Sequence, residues 1–384
     1  MPLQLPATAD DYRRLARARL PRFLFDYIDG GATDEQTVRA NVADWATIAL
    51  RQRVLVDVDG IDTSATLLGQ ACSMPLALAP VGLAGLMARR GEAQAARAAR
   101  AAGVPFTLST VGICPLAEVT EAAGPVWFQL YMLRDRGVVR ALLQRAWESG
   151  CRTLVFTVDL PVSGMRHRDT RNGLESASAR ARLIRAGQLL SRPAWLLDVA
   201  VRGQPHAFGN LTDQVPGAAD FTAFKAWVDT QFDPSVTWAE IDWLRAQWQG
   251  AIALKGVLDA EDATAAVRAG VQGIVVSNHG GRQLDGVAST VAKLPAIVQA
   301  VGGGAEVLVD GGIRSGVDVF RALALGARGA LIGRPWAFAL AAAGERGVSD
   351  LLSRWRRELL LAMTLTGARS PAEIDGARLD RPKS

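Results

Sequence analysis

One pattern recurs down this chain of 384 residues: a helical stretch rich in Ala, Arg and Leu ends at a glycine, and a short apolar run follows. Ala101-Ala102-Gly103 precedes Val104-Pro105-Phe106, and Glu148-Ser149-Gly150 precedes Thr153-Leu154-Val155-Phe156. Arg268-Ala269-Gly270 precedes Ile274-Val275-Val276, and Ala324-Leu325-Gly326 precedes Ala330-Leu331-Ile332. A glycine just past a helix accepts the left-handed turn that leads into the next strand. Strands alternating with helices in this way predict a parallel sheet.

The pattern gives eight strands, at roughly 76–80, 105–109, 126–130, 153–158, 251–255, 273–277, 306–310 and 329–333. An open doubly wound sheet and a (β/α)8 TIM barrel both accommodate them. The first βα turn lacks the GxGxxG of the dinucleotide-binding open sheet. Every strand also ends in residues with chemical potential: Pro80-Val81-Gly82, Ser109-Thr110, Gln129 to Tyr131, Thr157 to Asp159, Lys255, Ser277 to His279, Asp310-Gly311-Gly312 and Gly333-Arg334. A closed barrel gathers all eight C-terminal ends at one mouth, whereas an open sheet spreads them out. The expected architecture is therefore α/β, a (β/α)8 TIM barrel with an N-terminal helical extension and a long insertion after strand 4. A single domain would span 1–384: the extension at 1–75 with a helix near 9–28, the barrel at 76–340, and C-terminal helices and tail at 341–384. The insertion, about 165–245, fits a lid, a binding loop or a docking segment.

Composition narrows the partners. The net charge is +5, and only four of the 43 basic residues are lysine. No basic cluster is interleaved with aromatics, so nucleic acid is not expected. A mild basic excess suits small anions or an anionic membrane surface. Cys72, Cys114 and Cys151 are odd in number and show no CxxC or zinc spacing, which predicts reduced, buried thiols and no metal. No apolar run approaches the ~20 residues of a membrane span, and residues 1–22 carry no signal-peptide core.

Candidate site residues fall at the strand ends. Asp310-Gly311-Gly312-Ile313-Arg314 and Gly333-Arg334-Pro335 follow strands seven and eight, the usual phosphate cradle of this barrel. Backbone N–H groups would supply donors there, and Arg314 and Arg334 charge. Lys255 follows Ala251-Ile252-Ala253-Leu254 and reads as a Schiff-base nucleophile, a cation beside a cofactor, or an ordinary strand-end lysine. Tyr27 and Tyr131 are two of three tyrosines, and Tyr131 ends strand three, where a buried phenol needs a partner. Asp159 ends strand four and could hold an imidazolium; Arg166 is seven residues further on and could grip a carboxylate bidentately. His279, one of three histidines, and Arg282 stand three residues apart in Ser277-Asn278-His279-Gly280-Gly281-Arg282-Gln283-Leu284-Asp285. The glycines between them let the backbone approach a ligand.

That last stretch resembles the signature of the FMN-dependent 2-hydroxy-acid dehydrogenases and oxidases. The resemblance extends over nearly the whole chain, through Phe25-Asp26-Tyr27-Ile28-Asp29-Gly30-Gly31-Ala32, Ala79-Pro80-Val81-Gly82, Trp127-Phe128-Gln129-Leu130-Tyr131, Thr157-Val158-Asp159, Lys255-Gly256 and Asp310-Gly311-Gly312-Ile313-Arg314. Within the family the likeness is to the bacterial membrane-associated L-lactate dehydrogenases, through Ala88-Arg89-Arg90-Gly91, Leu108-Ser109-Thr110-Val111 and Thr364-Leu365-Thr366-Gly367-Ala368. It implies oxidation of an L-2-hydroxy acid, above all L-lactate to pyruvate, by bound FMN in a homotetramer or larger assembly. His279 would be the base and Asp159 the stabiliser of its protonated form. Arg282, Arg166 and Tyr27 would bind the substrate carboxylate, and Tyr131 its hydroxyl. Lys255 would stand near flavin N1 and the C2 carbonyl, with Pro80, Val81, Gly82, Ser109, Gln129, Thr157 and Ser277 around the ring. Asp310, Gly311, Gly312, Arg314, Gly333 and Arg334 would take the ribityl phosphate.

Two departures bear on the acceptor and substrate. Val111 stands where glycolate oxidase carries a bulky Trp, so that pocket does not transfer directly. Gly82 stands where oxidases of the family often have Ala, which favours a quinone or another acceptor over oxygen. The stretch 180–197 mixes Arg180, Arg182, Arg185 and Arg192 with Leu183, Ile184, Leu189, Leu190, Trp195 and Leu196, a composition suited either to an anionic lipid surface or to a solvated helix on its own barrel. The expected location is accordingly the cytoplasmic side of the membrane, peripherally, or else the cytoplasm. A peroxide-producing oxidase and a mandelate-type dehydrogenase stand as alternatives. A Schiff-base aldolase and a non-catalytic flavin-binding barrel are the rivals from other classes.

Overall fold

In the computed structural model, which describes residues 5–174, 176, 178–212 and 230–380, every expected apolar run is a strand. A short hairpin comes first, β1 (Ala65–Leu67) and β2 (Gln70–Cys72). The barrel strands are β3 (Leu76–Leu78), β4 (Thr107–Ser109), β5 (Trp127–Tyr131), β6 (Thr153–Thr157), β7 (Ala251–Val257), β8 (Gly273–Val276), β9 (Glu306–Val309) and β10 (Gly329–Ile332). They pair in parallel in the order β3-β10-β9-β8-β7-β6-β5-β4. A parallel bridge from Leu78 to Phe106 joins the two ends, with the Leu78 amide donating to the Pro105 carbonyl at 2.8 Å. The sheet is therefore a closed (β/α)8 barrel, and its strands are buried on both faces as enclosed parallel strands must be.

The barrel interior is filled by side chains from seven of the eight strands: Ala77 with Ala79 just beyond it, Trp127, Val155, Ala253, Val275, Leu308 and Leu331. The hairpin plugs the N-terminal end. Leu67 and Leu68 insert where a β-carbon on Gly329 or Gly273 would stand only 2.7 or 2.5 Å away. The Leu68 amide donates to Glu306 and the Trp127 indole to Gln70, both at 2.8 Å. With that end closed, the C-terminal mouth is left as the ligand-accessible end.

The N-terminal extension is not the single helix expected near 9–28. A helix at Ala9–Arg19 starts in a Thr8/Asp11 capping box and stops at Leu20, and a second runs from Arg22 to Asp29. Pro21 is the cause: it has no amide to continue the helix, and it forces Leu20 into extended backbone (φ −78°, ψ 147°). A third helix, Gln36–Ala46, carries Asn41 and Trp45 over the mouth. The last helix, Arg334–Thr366, bends at Ala343-Gly344, where Gly344 takes a positive φ of 62°.

The insertion leaves β6 and returns at β7. Residues 175, 177 and 213–229 of it, and 381–384 of the expected tail, lie outside the described residues. The described part is helical at His167–Arg171, Ala179–Leu190 and Ala239–Gln247. One expectation for 180–197 is corrected here. Trp195 is buried, its indole donating to the Leu86 carbonyl at 2.9 Å, so it anchors the insertion to the barrel instead of facing outward. Arg192 likewise donates to the Leu20 carbonyl and Arg185 to that of Gly173. Leu189 and Leu196 are half-buried. The exposed apolar side chains are Leu183, Ile184, Leu190, Leu197 and, just beyond, Val201. Among the described residues no helix is long and apolar enough to cross a membrane.

Candidate active site

His279 sits in the turn after β8 in left-handed backbone (φ 55°), unusual for a residue with a side chain. The Ser277 hydroxyl accepts from its amide at 3.1 Å and helps fix that turn. Its ring reaches across the mouth, so that Nδ1 stands 2.8 Å from Asp159 Oδ1, leaving Nε2 for other chemistry. Burial pushes the imidazole below its ordinary value, against the pull of Asp159 in the other direction. Burial also opposes the Asp159 charge, but the nearby His279 and Lys255 outweigh it and hold the carboxyl below its usual range. The pair is thus a neutral base at neutral pH backed by a fixed carboxylate.

Lys255, within β7, is buried and paired with Asp310 Oδ2 at 3.0 Å, and it donates to the Ser277 hydroxyl at 3.1 Å. Burial disfavours its charge, yet Asp310 and Asp159 more than compensate and raise its pKa. A Schiff-base nucleophile needs the opposite, an amine pushed toward neutrality. The 3.0 Å pairing with Asp310 favours the charged form of this lysine, which counts against the aldolase reading.

Tyr27, Tyr131, Arg166 and Arg282 line the same cavity as His279 and Lys255. The Arg282 guanidinium donates to the Tyr27 and Gly30 carbonyls and stacks 4.7 Å from the Tyr27 ring centroid. Burial, then the like charge of Arg166, pushes Arg282 down to about 9. Guanidinium still remains charged at neutral pH, so the two arginines form an anion trap whose cost an incoming carboxylate would relieve. Tyr131 packs edge-on to Phe232 at 5.3 Å, and burial followed by Asp159 raises its pKa, which keeps the phenol a donor.

Pro80, Val81, Gly82, Thr157, Asp310, Gly311, Gly312, Arg314, Gly333 and Arg334 also line the cavity. Burial pushes Arg314 and Arg334 down to about 10, a second anion trap beside the first. Arg334 crosses the glycine turn and donates to the Gly280 carbonyl at 2.8 Å and to the Gly30 carbonyl at 2.7 Å. Gly311 and Gly312 take positive φ (93° and 81°), and Trp45 donates to the Gly311 carbonyl at 2.8 Å.

Not every expected residue reaches the cavity. Ser109 and Ser277 are fully buried behind it: Ser109 donates to Gln129 Oε1 at 3.0 Å, while Ser277 receives Lys255 and the His279 amide. Both hold a neighbour in place. Asp159 likewise stands behind His279.

The set fits a flavin mononucleotide. Among the described residues, Gln129 Nε2, Thr157 Oγ1, Asp310 Oδ1 and Arg334 Nε are buried with no hydrogen-bond partner in the protein. Buried polar atoms are rarely left so. Two donors, an acceptor and a hydroxyl at these places match the polar edge of an isoalloxazine ring, ribityl hydroxyls and a phosphate. The phosphate matches the Arg314/Arg334 end of the cavity. Among the described residues no group of His, Cys, Asp and Glu could hold a metal.

Residues 16–381 match the family described as FMN-dependent dehydrogenase. The chain belongs to that family. An L-lactate dehydrogenase of Caulobacter vibrioides is 56% identical over 370 residues, 96% of each chain. One from Allorhizobium ampelinum is 52% identical over 376 residues, 98% of this chain and 99% of its own. Among solved structures, the monotopic membrane protein (S)-mandelate dehydrogenase superposes with a TM-score of 0.91 at 35% identity, covering 99% of this chain and 100% of that one. A mandelate oxidase superposes with a TM-score of 0.83 at 40% identity, covering 98% of both.

In this FMN-dependent dehydrogenase several supporting residues escaped the sequence reading. Asn41 and Asn278 exchange a reciprocal amide pair at 2.8 and 2.9 Å, which ties the third helix to the histidine turn. Asp285 accepts from the Thr33 hydroxyl and from the amides of Asp34 and Thr37; against the cost of burial, its bonds to Thr37 and Thr33 help to draw its pKa down to about 2. Arg168 bridges Asp26, Asp29 and Glu35, clamping the Tyr27 helix to the Arg166 segment. The acidic spacing around Tyr27 was a signal for such a clamp; the Asn41 pairing left none.

Proposed function

We propose that this FMN-dependent dehydrogenase oxidises L-lactate to pyruvate. The observation that carries the reading is the His279–Asp159 pair at 2.8 Å on a cavity that also presents Arg282, Arg166 and Tyr131. The relatives bearing the name L-lactate dehydrogenase, at 52–56% identity over nearly the full length, support the substrate.

FMN, when bound, supplies the two-electron acceptor. Gln129, Thr157 and Lys255 would hold its ring, and Asp310, Arg314, Arg334 and the Gly311-Gly312 amides its ribityl phosphate. Arg282 and Arg166 grip the substrate carboxylate through charge-assisted hydrogen bonds. Tyr131 donates to the substrate hydroxyl, and together these contacts fix the α-carbon and reduce the orientational part of the barrier. His279 Nε2 takes the proton that leaves as the hydroxy acid becomes an oxo acid. Asp159, already bonded to Nδ1, stabilises the imidazolium so formed. Lys255 brings a preorganised positive charge to the mouth, where negative charge accumulates on reduction.

Quinone rather than oxygen is the acceptor in this reading, and the protein works as a homotetramer or larger on the cytoplasmic face of a membrane. Gly82 and the exposed Leu183, Leu190 and Leu197 beside Arg180 and Arg182 support that part. Anaerobic mixing with a panel of 2-hydroxy acids tests the whole. L-lactate should bleach the flavin absorbance near ~450 nm fastest. Preferential bleaching by mandelate would replace the substrate, and rapid peroxide formation in air with no response to quinone analogues would make the protein an oxidase.

A further inference from the structure

The segment 51–59 reads Arg-Gln-Arg-Val-Leu-Val-Asp-Val-Asp, and its charges mirror one another about Leu55. Arg51 and Arg53 precede Val54 on one side of Leu55; Asp57 and Asp59 follow Val56 on the other. Among the described residues none of these four charged side chains enters an ion pair. Leu55 is fully exposed and Val54 nearly so. Leu55 also sits in left-handed backbone (φ 56°), which is strained for a leucine and is offset by no packing of its side chain within the chain.

The segment does not stand away from the body. The Arg53 amide donates to the Leu365 carbonyl at 2.9 Å, and the Arg51 amide to the Arg378 carbonyl at 2.8 Å. Val56 packs against the Gly367 turn that ends the last helix. Leu361 and Leu365, one turn apart on that helix, are exposed beside it. Exposed apolar side chains thus lie between a basic and an acidic flank, on a backbone bonded to the body of the protein.

We infer that this patch is a two-fold contact with a second copy of the same chain. A two-fold axis through Leu55 sets Leu55 against itself, Val54 against Val56, Arg53 against Asp57 of the other copy, and Arg51 against Asp59. A two-fold interface joins one surface to itself, so it requires self-complementarity, and the mirrored charges supply it. The apolar centre provides the affinity, and the exposed ion pairs mainly fix register and reject wrong partners. A lipid surface fits less well, because Asp57 and Asp59 would face an anionic leaflet. The contact is independent of the flavin chemistry and gives the proposed assembly one defined surface.

Sedimentation velocity at low salt tests it, with circular dichroism to check folding. The wild-type protein should contain an even number of subunits. Arg51→Asp/Arg53→Asp makes the patch wholly acidic, and Asp57→Arg/Asp59→Arg makes it wholly basic. Each variant alone should fall to half the wild-type mass, and an equimolar mixture should recover the full mass as mixed pairs. Leu55→Glu should dissociate the wild-type charge pattern without rescue by either variant. Wild-type mass in both charge variants, or folded variants that dissociate and do not recombine, would overturn the contact. So would a loss of liposome flotation by Leu55→Glu with its mass unchanged.

Discussion

Gly256 stands so close to Asp159 that a β-carbon on it would come within 2.6 Å of both the Asp159 β-carbon and its carboxyl carbon. Its φ of 113° also excludes most side chains. The glycine therefore clears the space in which Asp159 meets His279. Gly256→Ala should push the carboxylate off the imidazole and lower L-lactate turnover by about 10²-fold, the scale of an ångström-sized misplacement in a catalytic group. Flavin absorbance should persist. Stopped-flow reduction measures the effect, and an unchanged rate would mean that Asp159 is not held by this contact.

Asp159→Asn separates electrostatics from geometry. Burial lowers the His279 pKa, and the Asp159 charge works against that lowering. Activity that needs neutral His279 is present above its pKa and fades as pH falls through it, at a pH below the ordinary imidazole range. Removing the carboxylate charge removes the upward pull, so the acid limb of kcat/KM should move to still lower pH. The plateau should fall as well, because the imidazolium loses its partner. An acid limb that moves upward would reverse the assignment.

Gly312→Ala addresses the cover over the mouth. A β-carbon there would stand 1.6 Å from the Asn41 carbonyl oxygen, and the residue has φ 81°. The third helix would have to lift, carrying away the Trp45 bond to Gly311. A loss on the order of 2–4 kcal/mol in stability is expected from strain and overpacking together. Thermal unfolding and the FMN content of the purified protein should both fall. Wild-type values for both would show that the helix yields without cost.

The barrel was legible because enclosed parallel strands must be apolar runs, and six of the eight, β4, β5, β6, β8, β9 and β10, follow a helix closed by a glycine. The candidate site was legible for a related reason. Strand ends converge in a closed barrel, so Tyr131, Asp159, Lys255 and His279 could be placed together without knowing a single contact. What sequence could not give was long-range pairing off the strands. Asn41 meets Asn278 across 237 positions, and no local pattern encodes such a partner. Trp195 looked interfacial beside arginines and leucines, yet its indole found the Leu86 carbonyl instead. Ser109 and Ser277 were expected around the flavin ring, but both are buried one layer behind the cavity wall.

Arg282→Lys tests the anion trap. Arg282 uses one nitrogen on the Tyr27 and Gly30 carbonyls and stacks on the Tyr27 ring, while burial beside Arg166 makes it hungry for an anion. An ammonium cannot stack and bridge in this way. Inhibition by oxalate, a dianion with two carboxylates, should weaken by at least ~10²-fold, the scale of a lost charge-assisted pair. KM for L-lactate should rise in parallel. Oxalate inhibition unchanged in both Arg282→Lys and Arg166→Lys would remove the arginines from substrate binding.

Membrane association is best tested by point changes, because deleting 180–197 would also remove the Trp195 anchor and disturb the barrel. Leu183 and Leu190 are the most exposed leucines of the insertion helix, and Arg180 and Arg182 are exposed beside them. Each basic side chain near an anionic leaflet contributes about 1 kcal/mol, and each inserted leucine up to roughly 2 kcal/mol. Leu183→Glu/Leu190→Glu reverses the apolar contribution and adds repulsion from the anionic leaflet. Flotation with anionic liposomes should fall by at least ~10-fold, while flavin content and anaerobic reduction by L-lactate stay unchanged. Arg180→Gln/Arg182→Gln should weaken flotation less, and its remaining effect should vanish at high salt, since a leaflet's charge is screened within about 10 Å at 0.1 M salt. Full flotation in both variants would move the membrane contact elsewhere on the protein, and no flotation of the wild type at low salt would remove it.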